Sequence, residues 1–393
     1  IGFIYINKKG SILYRIEPFF YPNFMVIGGF MTDLEKARKA INEIDVEIAA
    51  LFERRMDAAK LVASHKKKFG LPIFDEAREK EICNKELEYI KNPDYKTYYL
   101  EMIHSIMDIS KKYQSVLVSG SRVAYCGIEG AFANIAAKRI FPNGNMVAFS
   151  SFEKAYKAVE LGDCDFAVLP IENSFAGDVT KVFDLMYSGS LFVNGIYNLH
   201  ICQTLLGIKG AKISDVKTVV SHEQAIEQCG EYIQNHGFEV QIAVNTAMAA
   251  RNVAQMGDVS VAAIGSKESA ELYGLEVLEE NINQNDLNTT KFAVLSRVFN
   301  DSADVSAADG FLLMFTVNNA PGALAKAIKI IGDNGFNLKS LRSRPVKNVP
   351  WKYYFYVEGE GALSSQKGDA LVKGLKEQCE EVKLLGHFKN LEI

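Results

Sequence analysis

Between Asp33 and Phe69 the apolar residues Ile41, Ile44, Ile48, Leu51, Phe52, Ala59 and Val62 recur at helical spacing, and no Pro or Gly interrupts them. The pattern predicts one continuous helix of about 55 Å at 1.5 Å per residue. Thr32 or Asp33 can cap it, and Gly70 and Pro72 end it. Such a helix cannot bury its stripe against a short domain alone, so a second copy of the chain is the natural partner. The helix also carries Arg38, Arg55 and Lys66. Arg55 and Lys66 share a face, eleven residues apart, and Arg38 falls off it. A site using all three would take Arg38 most simply from the second copy. Two more helices are predicted, at about 76–91, capped by Asp75 and stopped by Pro93, and at about 95–118. Asp75, Arg78 and Glu79 share one face, as do Ser110 and Gln114.

After a short linker at 119–121 the pattern changes. Strands are predicted at 122–126, 165–169, 216–221, 240–244 and 261–264. Helices are predicted at about 132–140, 152–160, 179–186, 224–236 and 246–256, with residues 170–174 read as a turn. This is a doubly wound α/β pattern in two lobes, whose polar, Gly-rich turns let helix N-termini face an anion. His222 reads as a satisfied turn histidine. A polar linker at 300–310 leads to strand, helix, strand, strand, helix and strand at 311–317, 322–334, 337–343, 351–357, 364–379 and 382–387. That order is ferredoxin-like.

The first thirty residues are aromatic and Gly-rich, without a stable period or the parts of a signal peptide. Residues 27–31, Ile-Gly-Gly-Phe-Met, can be encoded by a purine-rich ribosome-binding site followed by a start codon. Residues 1–30 are therefore expected to be a non-native or disordered leader, with translation from about Met31.

At 393 residues the chain holds two or three domains. A net charge of −4 argues against nucleic acid or an anionic membrane as partner. The six cysteines form no CxxC pair and the six histidines show no metal-ligand spacing, which fits reduced thiols in the cytoplasm and no metal. No apolar run is long enough to span a bilayer.

The series Arg38, Ile41, Ile44, Asp45 and Arg55, with Lys66, the segment Pro72-Ile73-Phe74-Asp75-x-x-Arg78-Glu79, Ser110 and Gln114, resembles the all-helical chorismate mutases. The resemblance implies an all-α domain at 31–118 that dimerises through its long first helix. It implies that Arg38 and Arg55 bind the carboxylates of chorismate. Lys66 and Gln114 would donate to the breaking ether oxygen, Glu79 would bind the ring hydroxyl, and Asp75, Arg78 and Ser110 would complete the pocket. A pericyclic rearrangement to prephenate needs neither nucleophile nor cofactor, only positioning and charge stabilisation.

Further on, Gly127-x-x-Gly130-Ala131-Phe132, Pro170-Ile171-Glu172-Asn173, Ser221-His222, Thr246-Ala247, Gly265-Ser266, Leu272-Tyr273-Gly274 and Asn288-x-Thr290-Lys291-Phe292 together resemble prephenate dehydratase. This implies a two-lobed, periplasmic-binding-protein-like α/β domain at 120–298. Thr290 would donate to the departing hydroxyl, polarised by a neighbour. Glu172 would be catalytic and would lie at the cleft with Asn173 and Ser174, and Thr246, Lys291 and Phe292 would contact substrate. The chain departs from the family at Lys291, where Arg is usual, at Ala133-Asn134 in place of Ser-His, and at Asn245 in place of Ser.

Asn319-Ala320-Pro321-Gly322-Ala323-Leu324 and Ser343-Arg344-Pro345 resemble the ACT domain that binds phenylalanine, at 308–393, with Arg342 where Glu is frequent. Asn319, Gly322, Ala323, Leu324, Ser343, Arg344 and Pro345 would form the effector site, Gly322 allowing close backbone approach. The whole resembles a cytoplasmic bifunctional chorismate mutase–prephenate dehydratase. Its partners would be chorismate, prephenate and L-phenylalanine, in a homodimer or dimer of dimers. Two alternatives stand beside it: a mutase fused to an arogenate-preferring dehydratase, and an amino-acid-sensing protein with an inactive dehydratase lobe.

Overall fold

The computed structural model describes residues 3–6, 12–15, 32–285, 287–299, 308–347, 349–363 and 365–393. Contacts divide the chain into two units, Ile1–Ser121 and Arg122–Ile393. No helix among the described residues is long and apolar enough to cross a membrane.

In the first unit, strands β1 (Phe3–Ile6) and β2 (Ile12–Arg15) pair antiparallel. The expectation of a leader ending near Met31 otherwise falls outside the described residues. Helix α1 (Asp33–Phe69) has the predicted bounds. Thr32 caps it: its side chain accepts from the Glu35 N–H, and the Glu35 carboxylate accepts from the Thr32 N–H at 2.7 Å. Gly70 ends it in the left-handed region, at φ 64°. Asp75 caps α2 (Glu76–Tyr89), Pro93 opens a single 3-10 turn, and α3 (Lys96–Ser119) follows. Among the described residues of this unit, Ala59 and Ala63 of α1 and Met107, Ser110 and Gln114 of α3 are buried. Most of the apolar stripe on α1 stays open: Ile41, Ile44, Ile48 and Leu51 are 55%, 53%, 49% and 58% exposed.

The second unit opens with β3 (Arg122–Cys126), α4 (Phe132–Ile140), β4 (Asn145–Phe149), α5 (Phe152–Glu160), β5 (Phe166–Asn173), β6 (Gly177–Asp178), α6 (Thr180–Ser188) and β7 (Phe192–His200). Then come β8 (Thr204–Gly207), β9 (Thr218–Ser221), α7 (Glu223–Gln228), α8 (Gly230–His236), β10 (Glu239–Ile242), α9 (Thr246–Met256), β11 (Val261–Gly265), α10 (Lys267–Tyr273), β12 (Glu276–Glu279) and β13 (Thr289–Ser296). The chain ends with β14 (Gly310–Thr316), α11 (Ala323–Asp333), β15 (Leu338–Pro345), β16 (Tyr353–Glu360), α12 (Gln366–Gln378), β17 (Glu381–Phe388) and β18 (Asn390–Glu392).

These strands build three sheets. A large sheet has the order β18-β7-β13-β5-β3-β4, a smaller one β10-β9-β11-β8-β12, and a third β15-β16-β14-β17. The third is wholly antiparallel and is connected β-α-β-β-α-β, as predicted. One of its faces carries Phe311, Leu313, Phe315 and Val357 against α11 and α12. The other packs Met314, Tyr354 and Tyr356 against Phe183 and Met186 of α6 in a core shared with the large sheet.

The structure adds strands β4, β7, β8, β12 and β13 and helix α10, which the pattern did not predict, and corrects the predicted elements in three places. The first two sheets are mixed, because β13 runs antiparallel to both β5 and β7, and β8 antiparallel to β11 and β12. The predicted turn at 170–174 is instead the end of β5. Pro170 is tolerated there because the ladder shifts register at that point, Lys291 facing Glu172 and Phe292 facing Pro170, which leaves Ile171 as a bulge. The predicted helix at 224–236 breaks at Cys229, since the Gln228 carbonyl turns out to accept from the Gln284 N–H at 2.9 Å and Gly230 follows. Of the predicted linker, residues 300–307 lie outside the described residues.

Candidate active sites

In the helical unit, α1 and α3 run parallel, since Arg55 meets the turn at Ile106 and Ser110 while Lys67 reaches the Leu117 carbonyl. Arg55 donates to the Ser110 hydroxyl and to the Ile106 carbonyl; Ser110 in turn donates to Ile106 at 2.9 Å. One turn further along α3, Gln114 is 8% exposed, and its Oε1 has no hydrogen-bond partner among the described residues. A buried amide oxygen left unmatched is costly unless a ligand completes it. Lys66 donates to the Ile73 carbonyl, which ties the end of α1 to the segment before α2. Glu79 of α2 pairs with Lys111 at 2.8 Å, and Lys111 also pairs with Asp108 at 2.9 Å. The Glu79 carboxylate raises the Lys111 ammonium above its ordinary pKa. Lys111 carried no sequence signal beyond its place between Ser110 and Gln114.

Asp75 serves as the cap of α2, accepting from the Arg78 N–H at 3.0 Å, and Arg78 pairs with Glu81 at 2.7 Å. Arg38 precedes Arg55 by seventeen residues on an unbroken helix, a rise of about 25 Å. One copy of α1 therefore cannot bring both cations to one small ligand.

In the second unit a buried polar network centres on Asn173. Its Oδ1 accepts from the N–H groups of Phe175 at 3.0 Å and Ala176 at 2.8 Å, which fixes the amide in one orientation. The Nδ2 must then point the other way. It donates to Asn288 Oδ1 and to Thr290 Oγ1, both at 2.9 Å. Thr290 is 9% exposed, and with its oxygen accepting from Asn173 its own proton is left to donate elsewhere. Asn288 is 2% exposed, and its Nδ2 has no partner among the described residues. Ser174 closes this end, donating to the Leu287 carbonyl at 3.3 Å and accepting from the Thr289 N–H at 3.0 Å. Beside Asn288, a small pocket is lined by Phe175, Gln228, Asn283, Gln284 and Asn285.

Glu172 and Lys291 do not join this group. Residues alternate across a strand, so Asn173 and Thr290 share one face and Glu172 and Lys291 the other. Glu172 Oε2 lies 3.0 Å from Lys291 Nζ, and its Oε1 accepts from Arg342 of β15 at 2.6 Å. Glu172, expected at the cleft with Asn173 and Ser174, thus lies on the face opposite Thr290, because the bulge at Ile171 resets the alternation just before it. Phe292, expected to contact substrate, is 2% exposed and packs in the core with Val294 and Ile135.

Thr246 is buried at the start of α9, where Asn245 accepts from the Met248 N–H at 2.7 Å. Asn245 therefore keeps the cap that a Ser would provide. Asn134 accepts from the Gly130 N–H at 3.2 Å, and the Gly130 carbonyl accepts from Ser269 at 3.0 Å, which ties the Gly127–Gly130 turn to α10. The Nδ1 of His222 accepts from the Gln224 N–H, a satisfied cap as expected.

In the third sheet, β14 and β15 run parallel through β16, so the turn at 319–324 and residues 343–345 lie at the same end. Gly322 sits at φ 78° with open space where a side chain would project. Arg344 faces away from this end's helix side. It pairs with Asp184 of α6 at 3.2 Å, and Asp184 also accepts from the Tyr354 hydroxyl at 2.7 Å. These contacts outweigh burial and hold the Asp184 carboxyl below its ordinary pKa, although burial is the largest single influence and acts upward. Ser343 and Pro345 alternate to the opposite face.

Two family models match the chain. One described as chorismate mutase type II matches residues 37–115, and one described as prephenate dehydratase matches residues 123–299. A relative from Arabidopsis thaliana, named arogenate dehydratase/prephenate dehydratase 1, chloroplastic, is 33% identical over 284 residues, 68% of this chain and 71% of that one. A bifunctional chorismate mutase/prephenate dehydratase from Buchnera aphidicola is 28% identical over 371 residues, 91% of this chain and 96% of that one. The solved prephenate dehydratase of Staphylococcus aureus superposes with a TM-score of 0.61 at 27% identity, covering 68% of this chain and 100% of that one.

Proposed function

The chain belongs to the family of bifunctional chorismate mutase–prephenate dehydratases, and on that premise we propose how its residues divide the two reactions. It rearranges chorismate to prephenate and converts prephenate, with one proton, to phenylpyruvate, carbon dioxide and water, in the route to phenylalanine.

The mutase site is composite. Arg55, oriented by Ser110, holds one carboxylate, and Arg38 of a second copy holds the other as a bidentate donor. Lys66 and the turned-over amide of Gln114 donate to the ether oxygen, where negative charge develops. Glu79 takes the ring hydroxyl, and Asp75 and Arg78 hold the entrance of α2. The exposed stripe of α1 supports the dimer this requires.

At the dehydratase site Thr290 donates to the departing hydroxyl while the ring carboxylate leaves as carbon dioxide. The observation that carries this reading is the fixed amide of Asn173, which aims the Thr290 proton. The Asn288 Nδ2, which has no partner among the described residues, donates to the pyruvyl carboxylate. The segment 201–203 and the described residues 281–285 and 287–288 lie between the two mixed sheets in the chain, and they bond to each other, Ile282 N–H to Gln203 carbonyl at 3.0 Å. That supports a two-lobed domain closing over substrate, with Thr246 at the mouth. Domain bounds of 31–118, 120–298 and 308–393 follow.

The third sheet is an ACT domain. Phenylalanine binds at its open end, between the turn of Asn319, Gly322, Ala323 and Leu324 and the strand end of Ser343 and Pro345, and lowers dehydratase activity, in a cytoplasmic enzyme. Arg344 holds the domain to α6 rather than the ligand. Saturating phenylalanine that neither binds nor inhibits would refute this part.

The reading of Asn173 is tested by Asn173→Asp, which keeps the acceptor for the turn but cannot donate to Thr290. Dehydratase kcat is expected to fall about 100-fold, with the mutase rate unchanged; a wild-type dehydratase rate would exclude the role. The Arabidopsis relative's name favours a second reading, preference for arogenate over prephenate. Comparing kcat/KM on both substrates decides it.

A further inference from the structure

Lys291 and Arg342, from different strands, meet at one carboxylate. Arg342 projects from β15 toward the large sheet. Its Nη2 donates to Glu172 Oε1, and its Nε donates to Asp178 Oδ1, both at 2.6 Å. Lys291 takes the other oxygen of Glu172 at 3.0 Å and lies 3.5 Å from Glu358 of β16. The guanidinium rests near the rings of Phe183 and Tyr356, 5.9 and 5.8 Å from their centroids. Arg342, Glu172 and Asp178 are 20%, 27% and 29% exposed, so solvent screens these pairs only in part.

Glu172 and Asp178 face each other across the two-strand hairpin of β5 and β6. Between them run the residues whose N–H groups fix the Asn173 amide, Phe175 and Ala176. Arg342 therefore clamps the base of this hairpin from behind, and the loop it closes sets the direction in which Asn173 donates. A Glu at position 342 would face two carboxylates and could not do this.

We propose that Arg342 is a positioning residue for the dehydratase: from the C-terminal domain it holds the β5–β6 hairpin so that Asn173 keeps Thr290 aimed. This rests on Thr290 and Asn173 as the reacting pair. Arg342 touches no substrate. It gives the C-terminal domain a direct connection to the dehydration step through one side chain.

The test uses the full chain with Arg342→Met, which keeps a long apolar side chain near Phe183 and Tyr356 but no charge, and Arg342→Lys, which keeps the charge. Arg342→Met is expected to lower dehydratase kcat about tenfold with KM within about twofold, since alignment is lost rather than binding. Arg342→Lys is expected to recover part of that loss, and neither to change the mutase rate. In a Glu172→Gln background the Met substitution is expected to cost little more, because both act through one clamp. An unchanged kcat in Arg342→Met, equal losses in Met and Lys variants, or a full independent loss in the Glu172→Gln background would each overturn the proposal. If Arg342→Met fails to fold, Asp178→Asn opens the other side of the clamp and should show the same kcat loss. Thr290→Ala run alongside separates the premises. Its inactivity, with no effect in Arg342→Met, overturns the positioning role alone; an active Thr290→Ala overturns the reading beneath it.

Discussion

Gln114 buries an amide oxygen that no group among the described residues satisfies. In a protein interior such a group lowers stability, so its place beside Ser110 and Arg55 points to a ligand rather than to packing. Gln114→Met removes the unmatched oxygen at similar volume. It is expected to leave the thermal midpoint unchanged or raise it by one or two degrees, while mutase kcat falls about 100-fold. A parallel loss of stability and activity, measured by calorimetry and chorismate consumption, would assign Gln114 to the core instead. At this scale the residue types were legible in the sequence but their directions were not. Glu172 and Asn173 are neighbours in the chain, and only the bulge at Ile171 sends one toward Arg342 and the other toward Thr290. A bulge leaves no trace in composition beyond the Pro170 that it accommodates. Asn288 lies in the Asn288-x-Thr290-Lys291-Phe292 stretch, yet its hydrogen bond depends on which way the Asn173 amide is turned.

Elements with explicit start and stop chemistry read most clearly. Helices α1, α5 and α9 carry side-chain caps, α4 has only its amphipathic period, and the bounds of all four match the prediction. Strands β7 and β13 were missed because both of their faces are largely covered, which removes the alternation that reveals a strand. On β17, His387 is 8% exposed, and its Nδ1 accepts from the Leu363 N–H at 3.3 Å. Burial lowers its pKa from 6.5 to about 4. The unfolded chain therefore binds this proton first as pH falls. The contribution is fully present above pH 6.5 and is lost as pH falls toward about 4, reaching about 3 kcal/mol. His387→Asn, which keeps an acceptor but does not titrate, is expected to flatten the thermal midpoint against pH between 6.5 and 4 relative to wild type. Identical slopes would contradict the assignment.

For the whole molecule, the open stripe on α1 and the seventeen-residue separation of Arg38 from Arg55 lead to one conclusion. On the proposed reading, each mutase site draws on two copies of the chain. Arg38→Ala and Arg55→Ala are each expected to lose mutase activity at least 100-fold as pure proteins. Mixed under conditions that exchange chains, half of the dimers pair the two variants, and one of the two sites in each has both arginines. About a quarter of wild-type activity should then return. No recovery in a mixture proven to exchange would place both arginines in one chain's site. The two reactions themselves are tested most directly by supplying chorismate to the wild-type chain, Lys66→Ala and Thr290→Ala while following prephenate and phenylpyruvate. Wild type should deliver phenylpyruvate, and Thr290→Ala should stop at prephenate. Lys66→Ala should leave chorismate untouched yet convert added prephenate. Phenylpyruvate formed from chorismate by Thr290→Ala at the wild-type rate would contradict the account.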